Sequence, residues 1–144
     1  MRIQGLGHVV LKVRNLERAE AFYHGLLGIP IATRWAENGM TFFTLGNHHD
    51  FAVVAMGDDA PAPEPRAPGL AHVAFKVGTS LDELREWAGM LDSAGVPQRR
   101  TDHTVSQSLY VLDPDGNVIE LYVDTSDVWK TDPSKVAMIA PLEL

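Results

Sequence analysis

Glu120 stands between Ile119 and Leu121 in a run, 118–123, that otherwise reads as a strand with buried apolar residues. A carboxylate in that setting either faces solvent from a one-sided sheet or is held by a partner, because an unpaired buried charge is costly. Two histidines are candidates for its partners. His8 lies in GLGHVVLKV and His72 in GLAHVAFKV, two stretches offset by 64 residues and identical at six of nine positions. One His among apolar neighbours is ordinarily a satisfied core residue. Two at equivalent points of a repeat point to a shared role. Two imidazoles and one carboxylate form the donor set typical of non-haem Fe(II), which leaves coordination positions open, and the same donors accept Zn(II) or Mn(II). With no cysteine in the chain, a bound metal has only His and carboxylate side chains to hold it.

The elements that must position these residues recur in the same order twice. Residues 4–13 alternate as a strand. Asn15 is a suitable N-cap for a helix over 16–27, which Gly28 ends. Three strands are expected next, over 31–35, 41–45 and 50–56, with Asn38-Gly39 as a hairpin signal between the first two. Residues 57–68 form a Pro-rich linker without apolar periodicity. The pattern then restarts at Gly69. A helix is expected over 81–93, with Ser80 and Glu83 as a capping box, followed by strands over 98–102, 107–112 and 117–123. Asp113-Pro114-Asp115-Gly116-Asn117 is turn chemistry between the last two. The expectation is one α+β domain, 1–144, of two βαβββ modules (3–56 and 69–123) forming a metal-containing cleft, with a tail over 124–144. Carrying Glu120 back by the 67-residue offset between the two helix ends lands on Val53, so only the second module offers a carboxylate.

The chain of 144 residues is long enough for a sizeable core, and its net charge of −7 argues against nucleic acid or an anionic membrane as partner. The start of the chain lacks the basic-then-apolar pattern of a signal peptide, and no window reaches the length of a membrane span, so a cytoplasmic location is expected. Trp129, Met138 and Ile139 in the tail suggest a surface that packs, and a homodimer or higher homo-oligomer is expected.

The duplicated unit resembles the vicinal oxygen chelate superfamily over residues 3–123. That superfamily comprises glyoxalases, fosfomycin-resistance transferases, epimerases, bleomycin-binding proteins and type I extradiol dioxygenases. Within it, the stretch from His103 through Leu109-Tyr110, Asp113-Pro114 and Gly116 to Glu120 is similar to the signature of extradiol, catechol 2,3-type ring-cleaving dioxygenases. His48-His49-Asp50-Phe51-Ala52-Val53 also resembles the dioxygenase segment that carries a catalytic histidine, best matched by His49. Taken on the face of Val53, residues 51 and 49 would point toward the metal region.

The resemblance implies His8, His72 and Glu120 as ligands to Fe(II). It implies His49 as a proton-transfer residue, Tyr110 as a hydrogen-bond donor to a bound catecholate oxygen, and His103 as a neighbour acting on substrate or on Tyr110. The implied activity is O₂-dependent ring cleavage of a small catecholic compound, in aromatic catabolism. Familiar enzymes of this type carry two such duplicated domains, and this chain has one. Other activities on the same fold are an isomerase, epimerase or transferase reaction, or metal-free binding of a small molecule. Glyoxalase-type sites place a further acidic ligand where this chain has Val53. Fosfomycin transferases carry Thr where this chain has Val10, and an Arg beyond the Glu where it has none. Metal-free binders lack the His, His, Glu set.

Overall fold

A computed structural model describes residues 2–64 and 66–144, which form two compact units, Met1–Pro65 and Arg66–Leu144. In the first unit, β1 (Val9–Val13) leads through α1 (Leu16–Glu20) to β2 (Ile31–Trp35), β3 (Met40–Phe43) and β4 (Phe51–Ala55). The sheet runs β1-β4-β3-β2, with β1 parallel to β4 and the other pairs antiparallel. Asn15 caps α1 by accepting from the Arg18 amide at 3.2 Å.

The helix expected over 16–27 is α-helical only to Glu20. From Ala21 to Leu26 it widens to a π-helix, in which the adjacent Phe22 and Tyr23 are both buried. Tyr23 packs on Phe51 and Phe43 to form this unit's aromatic core. β1 begins later than expected because its ladder partner β4 begins at Phe51, opposite Val9. Asn38-Gly39 closes a short 3-10 turn rather than a two-residue hairpin, with Gly39 left-handed at φ 60°.

The second unit repeats the plan with β5 (Val73–Gly78), α2 (Leu81–Ser93), β6 (Arg99–Asp102), β7 (Ser106–Leu112) and β8 (Val118–Asp124). The expected capping box forms: the Glu83 amide donates to Ser80 Oγ at 3.3 Å, and the Ser80 amide donates to Glu83 Oε2 at 3.0 Å. Gly78 makes room for it, since a Cβ there would lie 2.7 Å from that carboxylate. Leu84 and Leu91 of α2 pack among the fully buried Leu109, Ile119, Leu121 and Val123. The tail passes through two 3-10 turns and adds a short strand, β9 (Ala140–Pro141), beside β6, so the sheet runs β5-β8-β7-β6-β9. Among the described residues no helix is long and apolar enough to cross a membrane.

Candidate metal centre

In β8 the alternation sends Ile119, Leu121 and Val123 into the core and Glu120 to the opposite face. The ladder lines up Arg99 of β6, Tyr110 of β7, Glu120 of β8 and Ala74 of β5 as one cross-strand row on that face. His72 comes off the same face two residues before Ala74, and its Nε2 lies 3.0 Å from Glu120 Oε2. The other carboxylate oxygen, Oε1, accepts from Ser108 Oγ at 2.6 Å. Glu120 is only 7% exposed, and among the described residues no lysine or arginine pairs with it. One oxygen is therefore oriented by a hydroxyl, while the other shares its site with an imidazole nitrogen. An imidazole nitrogen and a carboxylate oxygen so placed could serve as a ligand pair, with Ser108 as the outer support.

His103 and Tyr110 meet beside this pair. His103 Nε2 is 2.9 Å from the Tyr110 hydroxyl, and His103 Nδ1 is 2.9 Å from the main-chain carbonyl of Met138 in the tail. A carbonyl only accepts, so Nδ1 carries a hydrogen. Nε2 then accepts from the phenol when the ring is neutral, or donates to it when the ring is an imidazolium. Burial first, and then the neighbouring Glu120 carboxylate, push the Tyr110 phenol up to about 12, against a smaller opposing effect of Arg99. Tyr110 is therefore a donor throughout the neutral pH range.

In the first unit His8 immediately precedes β1, and His48 and His49 belong to the loop before β4. Asp50 organises that loop by accepting from the amides of Leu45 (2.6 Å) and Asn47 (3.3 Å). The His49 ring packs on His8 with centroids 4.1 Å apart, and its other ring neighbours are His48 at 4.5 Å and Phe42 at 5.2 Å. One ring nitrogen from each of His8, His48 and His49 lies within 4.8 Å of the others. Desolvation, and then the neighbouring His8 and His48, depress the His49 pKa, favouring the neutral imidazole.

The structure thus brings together His72, Glu120, Tyr110 and His103 in one unit and His8 with His49 in the other. It corrects the assignment of Val53 as the counterpart of Glu120. Val10 pairs with Ala52 as Ala74 pairs with Glu120, so the counterpart is Ala52, whereas Val53 pairs with Leu11 on the core side. The alternation argument for His49 falls with it: Phe51 and Val53 are core residues, and His49 reaches His8 from a loop. Ser108 and Arg99 were missed from sequence. Their signal was alternation with Tyr110 along β7 and pairing across β6, which needs the register.

Residues 5–121 match the family described as the Glyoxalase/Bleomycin resistance protein/Dioxygenase superfamily. The chain is 33% identical to biphenyl-2,3-diol 1,2-dioxygenase 3 of Rhodococcus globerulus over 83% of its own length and 63% of that protein's. It is 32% identical to the glutathione transferase FosA of Serratia marcescens over 84% of its length and 82% of the transferase. The chain thus spans less than two thirds of that dioxygenase and most of the transferase. In fold it is similar to a glyoxylase/bleomycin resistance protein/dioxygenase domain from Frankia sp. EAN1pec, with a TM-score of 0.71 at 22% identity, covering 85% of this chain and 99% of the other.

Proposed function

The chain belongs to the glyoxalase/bleomycin resistance protein/dioxygenase superfamily, and on that premise we propose that it is an extradiol dioxygenase that opens the ring of a catecholic compound with O₂. The observation that carries this reading is the 2.9 Å bond between His103 and Tyr110, in the row that contains Glu120. A phenol half-buried beside a carboxylate and wired to an imidazole is equipment for handling the protons of a diol.

The proposed ligands are His8, His72 and Glu120. The nitrogen and oxygen donors, with Glu120 lacking a lysine or arginine partner among the described residues, fit a divalent cation. Fe(II) suits the O₂ chemistry, and Mn(II) or Zn(II) suits the donors. The bound ion would supply a Lewis-acidic, redox-capable centre for catecholate and O₂.

The protein's residues supply the rest. His49, held toward its neutral form, takes a proton from a catechol hydroxyl. Tyr110 donates its hydrogen bond to the catecholate oxygen, and His103 exchanges a proton with that phenol. Both atoms of O₂ enter the product, one ring C–C bond beside the diol breaks, and no external reductant is consumed. Trp129, Val136, Met138 and Ile139 remain exposed in the tail, which supports self-association in the working enzyme, to be read by sedimentation.

A second reading, metal-dependent thiol transfer or isomerisation, is favoured by the similarity to FosA, most of whose length is covered. Anaerobic loading with Fe(II), titration with catechol and measurement of O₂ uptake separate the two. Stoichiometric O₂ consumption with a ring-opened chromophore is expected. Loaded protein that consumes no O₂ with any catechol, yet adds a thiol to fosfomycin, overturns the dioxygenase reading. A chain that binds no metal overturns both and leaves a binding protein.

A further inference from the structure

Arg99 is the end of the cross-strand row Arg99–Tyr110–Glu120, and it has no carboxylate partner among the described residues. In the same acidic chain Arg18, Arg34, Arg85 and Arg100 each pair with Asp or Glu. The Arg99 guanidinium instead lies 4.3 Å over the centre of the Tyr110 ring, and its Nη1 donates to Thr101 Oγ1 at 2.9 Å. Stacking and one hydrogen bond fix the plane of the fork and leave its other N–H groups to meet an oxyanion.

Arg99 and Tyr110 line a cavity of about 380 Å³ together with Pro97, Gln98, Leu112 and Val118. Leu112 and Val118 pair across β7 and β8 and make an apolar wall two ladder steps from the Tyr110–Glu120 pair, on the same face. Gln98 Nε2 donates to the Ala88 carbonyl at 2.9 Å and to Asp92 Oδ1 at 2.8 Å, which fixes the amide's orientation. Its buried Oε1 has no partner, the one such side-chain atom among the described residues. A cation without a carboxylate partner among the described residues and an apolar wall around one cavity are the marks of a binding subsite, to which the solvent-inaccessible Gln98 Oε1 is not open.

We infer that this cavity is the subsite for a carboxylate-bearing arm of the substrate, with Arg99 as its specificity-determining residue. The ring-cleaved compound is then a catechol that carries an acidic side arm. The identity of the ring rests on the extradiol reading, but the anion does not. Neighbouring strands lie about 4.8 Å apart, so Arg99 is about 10 Å across the sheet from Glu120. That span suits an aromatic ring beside Tyr110 with a short arm reaching Arg99.

The test has two arms on the full chain. In the first, Fe(II)-loaded protein is titrated anaerobically with 3,4-dihydroxyphenylacetate and with its methyl ester. The acid is expected to bind about tenfold or more tightly, the scale of one charge-assisted contact. Arg99→Met, which keeps the stem, should erase the preference, and Arg99→Lys should restore part of it. Equal binding of acid and ester by the wild type, or a preference that survives in Arg99→Met, overturns the proposal.

In the second arm, metal-free protein is titrated with phenylacetate, methyl phenylacetate and phenylphosphonate while the Arg99 Nε–H resonance is followed by NMR. A shift with phenylacetate and none with the ester is expected. If only the phosphonate moves it, the carboxylate assignment is wrong. A phenylacetate shift in a protein that binds no catechol keeps the subsite and removes the dioxygenase reading. Catechol cleavage with no acid preference does the reverse.

Discussion

Thr33, Phe42, Ala52 and Val10 occupy in the first unit the ladder positions that Arg99, Tyr110, Glu120 and Ala74 occupy in the second. The backbone plan is the same, yet one row is chemically silent and the other carries a cation, a phenol and a carboxylate. The first unit's histidines come from outside its ladder: His8 just before β1, and His48 and His49 on the loop that Asp50 holds. His49 even rests against Phe42, the counterpart of Tyr110. A duplicated scaffold thus needs to specialise only one face of one copy. The other copy carries its histidines at its strand start and on one loop, while its sheet remains purely structural.

The largest expected effect comes from making the second row as silent as the first. Glu120→Ala, which installs the residue of position 52, should abolish metal retention, a larger loss than the ~10–100-fold that removal of an outer support causes. Metal content after desalting reads it, and a full complement of metal in the variant would remove Glu120 from the ligand set.

His49→Phe comes next. It should keep metal and catechol binding but lower ring cleavage by ~10²–10⁴-fold, the usual contribution of a general acid–base. Wild-type O₂ uptake in this variant would shift attention to His103.

Tyr110→Phe makes the row match Phe42 and removes one charge-assisted hydrogen bond, about 1.5–3 kcal/mol at most. A fall of roughly tenfold to a hundredfold in kcat/KM is expected. The same residue gives a pH test on the metal-free protein. Its phenol is raised in the folded state, so the stability it contributes is present below the ordinary tyrosine pKa near 10. That contribution is lost as pH rises toward about 12. The 295 nm titration of wild type minus Tyr110→Phe should therefore show a midpoint near 12, and a midpoint near 10 would contradict the burial argument.

Ser108→Ala should have the smallest effect. It frees Glu120 Oε1 without removing a ligand, so metal affinity should drop about tenfold, the low end of the range for outer supports. Calorimetry reads this, and an unchanged affinity would make Ser108 a packing residue only.

Much of this architecture was legible from local chemistry. Ser80 and Glu83 announced the start of α2, and the DPDGN turn forms with Asp113 Oδ1 accepting from the amides of Asp115 and Asn117 at 2.9 and 2.8 Å. His8 and His72 stood out because the repeat stays in step through the first strands. It then slips: at the last strand the offset is 68 residues, one more than at the helix ends, because the intervening strands and loops differ in length. One residue of slip in a strand exchanges core face for open face, which is why the 67-residue offset lands on Val53 rather than Ala52. Arg99 and Ser108 escaped for a related reason. Neither belongs to a sequence motif, and each gains its meaning from a neighbour on another strand. The widening of the first helix after Glu20 has no counterpart in apolar spacing, which is satisfied equally by an unbroken helix.

The bond from His103 Nδ1 to the Met138 carbonyl also has an evolutionary reading. Every amino acid presents the same carbonyl, so this bond puts no demand on the side chain at 138 as long as β9 keeps its place beside β6. The tautomer of His103 is thus insulated from substitution at the residue that sets it, yet exposed to loss of chain length. Among descendants of this sequence that retain His103, deletions that shorten the path from Asp124 to Ala140 should be rare.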